Sequence, residues 1–145
     1  MKHLKPASRL WIGVAAVIAA LGVAIHLACI AGGPSWYAFF GAPPRIVASA
    51  RDGTWLAPAG TAGIAVLMGM CAAYACSALG LIQRLPLLRP ALAGIAAVCL
   101  ARALVLVPFA WIHPELRTQF ELIAALTWGV AGTGFSVAFA TARLR

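Results

Sequence analysis

The residues of this chain with the most chemical potential are those set inside long apolar runs, Arg102 first among them. Arg102 stands 11 positions beyond Ala91, where one such run begins. At 1.5 Å per residue that is about 16 Å along a helix, close to the middle of a ~30 Å hydrocarbon layer. An arginine at that depth costs about 2.5–3.5 kcal/mol on insertion scales, so it is expected to face an interior or a wet cavity and to find a polar partner. The chemistry open to it is binding of an anion or a lipid headgroup, or a place in a proton or ion path. The competing account makes it a hydrogen-bonded packing or snorkelling residue. Glu121 is the one carboxylate inside an apolar run. Helical side chains lean toward their own N-terminus, so Arg102 and Glu121 are expected to lean apart. Tyr74, Thr127 and Trp128 match Arg102 better in depth and offer two hydroxyls and a ring face for a cation-π contact.

His26 shares a helical face with Ala15, Ala19 and Gly22 and reads as a polar tip, or as a gate on the outer side of an interior site. A haem or metal ion would want a second histidine, and His113 falls in a loop with no ligand spacing to His26, so no metal and no cofactor is expected. Only three carboxylates are present, Asp52, Glu115 and Glu121. No G-x-S-x-G, H-E-x-x-H or Walker loop occurs. No catalytic residue is assigned, and an enzyme is not expected; a thiol redox enzyme is a distant third reading.

The elements that must position these residues are membrane spans. With 63% hydrophobic and 10% charged residues and a mean hydropathy of +0.97, the chain lies far from soluble composition. Apolar segments run from about 10 to 31, 59 to 82, 91 to 111 and 120 to 141, each near the ~20 residues a spanning helix needs. A barrel strand alternates polar and apolar residues over about ten positions; these runs do not. The fold expected is an all-α integral membrane protein, a single domain over residues 1–145, folded as an antiparallel four-helix transmembrane bundle with short connections.

The net charge of +8 resembles a nucleic-acid signal until the basic residues are placed on that topology. Lys2, Lys5, Arg9, Arg84, Arg89, Arg143 and Arg145 fall on one side, Arg45, Arg51 and Arg117 on the other. The positive-inside rule puts both termini in the cytoplasm, and no nucleic-acid partner is expected. The N-terminal basic segment and its 22-residue apolar run exceed a usual signal-peptide core and read as a retained helix. Leu27-Ala28-Cys29 approaches a lipoprotein cleavage box, with His26 where that box wants an apolar residue. Cys29, Cys71, Cys76 and Cys99 all fall within spans without a C-x-x-C pair, as packing residues do.

Between the first two spans lies an outer loop, Gly32 to Pro58, rich in aromatics. Trp36, Tyr37, Phe39, Phe40 and Trp55 suit the headgroup layer, and Pro44 to Asp52 is expected to form a short interfacial helix closed by Gly53. The loop is either a membrane-resting connector or a lid and docking surface. Small residues recur at four-residue spacing: Ala65, Gly69, Ala73 and Ser77 on span two, and Ala125, Gly129 and Thr133 on span four, with Gly132, Ser136 and Ala140 beside them. Such rows let helix backbones approach, within the chain or against a homo-oligomer or protein partner.

The stretch GGPSWYAFFGAP, followed by GTW and later RLPLLR, resembles a group of small, uncharacterised four-span bacterial inner-membrane proteins over most of the chain. The resemblance implies a multi-pass inner-membrane location and brings no activity with it. Trp36 followed by Gly53-Thr54-Trp55 is also similar to the W and G-L-W pattern of claudin-like proteins. The loop here lacks that family's paired cysteines and is too short for its extracellular sheet, so the likeness reads as convergence on an aromatic-anchored loop. Two functions are expected from all this. The first is a non-enzymatic membrane accessory or interaction protein that docks a partner through Trp36, Tyr37, Phe39, Phe40 and Trp55. The second is a small transporter or lipid or small-molecule binder whose interior site uses Arg102, Tyr74, Thr127, Trp128, His26 and Glu121.

Overall fold

The computed structural model describes residues 4–114 and 117–142. Lys2, Glu115, Arg143 and Arg145, which enter the charge reading, lie outside the described residues. Six helices are present among the described residues: α1 Pro6–Gly32, α2 Pro34–Phe39, α3 Pro44–Arg51, α4 Leu56–Leu79, α5 Leu88–Ile112 and α6 Gln119–Thr141. Four of them, α1, α4, α5 and α6, are long and apolar enough to cross a membrane. Each expected span is matched by one of these helices, with its ends moved by a few residues. The ends follow local caps rather than hydropathy. Gly80, at φ 75°, closes α4 with bonds from Gly80 N to Ser77 O and from Leu81 N to Cys76 O, the Schellman pattern that a glycine at positive φ permits.

By contacts the chain divides into two compact units, Ala19–Met70 and Met1–Ile18 with Cys71–Arg145. The second of these has a core of Phe135, Ile12 and Leu92, all fully buried, with Ala15, Ala75, Ala96, Cys99, Ala131 and Ala138 between them. Small residues bring its helices together, among them Gly132 of the expected rows and Gly134, which those rows did not include. A Cβ on Gly132 would stand 2.8 Å from the Leu100 side chain and 3.1 Å from its backbone N, and one on Gly134 would strike the Trp11 carbonyl oxygen. Gly129 lies opposite Ala103, at 3.6 Å by the same measure. Rising numbers on α6 meet falling numbers on α5, so these two helices pair antiparallel. Arg89 joins the first turn of α5 to the end of α6: its Nη1 donates to Ala142 O at 2.8 Å, and its guanidinium lies 4.7 Å from the Phe139 ring centre.

The unit Ala19–Met70 holds the segment read as an aromatic loop. Instead of one short helix it contains two. α2 starts where Pro34 follows Gly33, a residue at φ 69° that turns the chain out of α1; the fixed φ of proline suits the first helical position. α3 ends as expected, with Asp52 as its cap and Gly53 at φ 66°. The core here is Cys29, Tyr37 and Ala57, with Phe40, Ile46 and Val47 packed against it. Tyr37 is buried and Phe40 partly buried in this core, so these two of the five aromatics named for docking pack inward. Phe40 stands one residue past the end of α2, and its ring also meets those of Trp36 and Phe39, with centres 6.1 and 5.1 Å apart. Trp36, Phe39 and Trp55 stay exposed, at 46%, 79% and 77%.

Candidate functional site

α5 carries Arg102 about 15 Å before its end at Ile112 by the 1.5 Å rise, deep within the helix. α6 begins at Gln119, so Glu121 sits in its first turn. The start of α6 is fixed by Thr118, whose Oγ1 accepts from Glu121 N at 3.2 Å. This is half of the Thr-x-x-Glu capping box, a motif that stands in the sequence at Thr118 to Glu121. A carboxylate in a first helical turn also meets the positive end of the helix dipole.

Arg102 Nη2 donates to Glu121 Oε2 at 3.3 Å. Among the described residues no hydrogen bond joins Arg102 to Tyr74, Thr127 or Trp128, the residues matched to it in depth. The lean of a side chain sets only where its first atoms go; the long flexible arginine stem overrides it and carries the guanidinium out of mid-span to the carboxylate. Tyr74 instead donates its hydroxyl to Pro86 O at 3.2 Å, tying α4 to the turn before α5. Thr127 is exposed and donates to Ile123 O at 2.8 Å within its own helix. Trp128 packs half-buried on the core of its unit. Of the residues expected around Arg102, only Glu121 is brought to it by a bond.

Arg102, Val105, Leu106, Phe109 and Glu121 line a cavity of about 240 Å³. Three of the five lining residues are apolar, and the other two form the ion pair. The Arg102 and Glu121 side chains remain 41% and 25% exposed. His113, at the cap of α5, stacks on Phe109 with ring centres 6.2 Å apart. Arg117 Nε caps the same helix end by donating to Ala110 O at 2.8 Å. The cavity therefore offers a cation, an anion and an apolar wall.

His26 belongs to the unit Ala19–Met70, where its Nδ1–H donates to Gly22 O at 2.7 Å. That bond makes it a helix-satisfied polar tip with Nε2 as its remaining acceptor. The same unit contains a polar knot that the sequence reading did not single out. Ser49 Oγ is 2.6 Å from Thr54 Oγ1 and accepts from Ala57 N at 2.9 Å, so a buried serine of α3 caps the start of α4. The four cysteines are free thiols.

In comparisons with protein-family models, curated proteins and solved structures, the chain matches none.

Proposed function

We propose that this chain is a four-span antiparallel bundle of the bacterial inner membrane, with both termini cytoplasmic, that binds a lipid or other amphiphile in the cleft between α5 and α6. The observation that carries this reading is the Arg102–Glu121 pair at the rim of an apolar cavity. Charge within a span is expensive and marks a site more often than it aids folding. Here the guanidinium has been drawn to the depth of a first helical turn, where a polar head resides while its apolar tail meets Val105, Leu106 and Phe109. The reading is one of binding: the groups it uses are the charge pair and the apolar wall. Delipidated protein titrated with a short-chain phospholipid tests it. Saturable one-site binding that is lost in a folded Arg102→Leu variant is expected, and equal binding by both proteins would sink the idea.

A second reading rests on a separate observation. Trp36, Phe39 and Trp55 are exposed while Tyr37 and Phe40 anchor the same segment inward, so the aromatics stand on a folded platform. Such a platform suits the headgroup layer and a non-enzymatic accessory role in which a protein partner, or a second copy, docks there. Charge inserted at Phe39 should release that partner without unfolding the bundle. Unchanged co-purification would remove this reading.

A further inference from the structure

Resting on the cleft reading, we infer that the preferred occupant is a phospholipid with a zwitterionic headgroup carrying a primary ammonium, rather than an anionic lipid. The pair itself is incompletely closed. Charge-assisted Arg–carboxylate bonds run at about 2.7–2.9 Å and often form two parallel contacts; here there is one contact, at 3.3 Å. A guanidinium has five N–H donors and a carboxylate about four acceptor sites. Among the described residues Arg102 spends one donor, on Glu121. A headgroup that enters gives up one long bond and meets unspent capacity on both sides: phosphate oxygens accept from Arg102, and the ammonium donates to Glu121.

The carboxylate decides the class. A headgroup with only negative charge gains Arg102 but faces Glu121 at the same rim, and like charges at this range repel. A quaternary ammonium satisfies the charge but has no N–H to donate to the carboxylate. A primary ammonium does both. The apolar wall of Val105, Leu106 and Phe109, with Val105 40% and Phe109 50% exposed, takes the acyl chains and commits the site to a lipid over a free phosphoamine.

The test is reconstitution in nanodiscs with equal amounts of phosphatidylethanolamine, phosphatidylcholine and phosphatidylglycerol of identical chains, followed by release and native mass spectrometry of the lipid that stays bound. The ethanolamine lipid should be retained at least about tenfold over each of the others, the ratio one charge-assisted hydrogen bond supports. Glu121→Gln should shift retention toward the glycerol lipid. Glu121→Asp, which keeps the charge, should preserve the wild-type order and guards against a fold effect of the glutamine. Preference for the glycerol lipid in the wild type, equal retention of ethanolamine and choline lipids, or displacement by millimolar free phosphoethanolamine would each overturn the headgroup assignment. If retention nonetheless vanishes in Arg102→Leu, the cleft survives as a binding site. Retention independent of Arg102 would remove the cleft reading itself.

Discussion

Glu121 answers to two constraints at once: its backbone N–H is the donor that Thr118 caps, and its carboxylate receives Arg102. The two halves of the pair are therefore unequal. Without Arg102, Glu121 keeps the helix dipole and the cap; without the Glu121 charge, Arg102 is left against apolar walls. Arg102→Leu should unfold no earlier than wild type in mild detergent, since a charge replaced by an apolar residue of similar size is often neutral or stabilising. Glu121→Leu should lose about 1 kcal/mol, kept small because both side chains are partly exposed. Thermal unfolding of the two variants side by side checks the asymmetry. The same scale shows where the sequence reading failed. It placed Arg102 deep in a span, and Arg102 does lie deep within α5, but side-chain lean says nothing of which face of α6 meets α5, and that register decided the partner. Thr-x-x-Glu at 118 to 121 was a legible signal, because a capping box fixes a helix start and puts its glutamate at the third position.

At the scale of elements, close approach depends on particular glycines. A Cβ on Gly134 would collide with the Trp11 backbone, which has no side-chain freedom to yield, whereas nothing lies within 4 Å of one on Gly94. Gly134→Ala should cost about 1–3 kcal/mol as overpacking, and Gly94→Ala should be neutral or better; unfolding midpoints in one detergent compare them. Similarly, Ser49→Ala removes the acceptor for Ala57 N and should cost about 1–2 kcal/mol, as loss of a helix cap does. Amide exchange accelerated at the start of α4, and not in α6, would locate the damage. The four spans were legible because unbroken apolar runs of this length have one stable answer in lipid. α2 was not, since six residues with four aromatics or apolar groups carry too little periodicity; only Gly33-Pro34, a turn followed by a preset first helical position, marked it.

For the molecule as a whole, the distribution of arginine and lysine argues the orientation: Lys5, Arg9, Arg84 and Arg89 cluster beside the start of α1 and the α4–α5 turn, and basic residues of short loops hold to the cytoplasmic side. Cysteines placed singly at Lys5 and at Trp55 in a variant lacking the four native thiols should differ in labelling by an impermeant maleimide on whole cells. Position 55 should react and position 5 should not; the reverse pattern would invert the topology. Helical class and span number could be read at this scale from composition and run length, whereas the ion pair and its cavity arise from how α5 and α6 meet and have no one-dimensional signature. Their claim to function is the centre of the account. The most direct trial is native mass spectrometry of the protein extracted gently from its own membrane, wild type beside Arg102→Leu. The account predicts one lipid or small amphiphile per chain that persists in the wild type and is lost in the variant. A chain that carries no such molecule, or carries it equally in both, would contradict it.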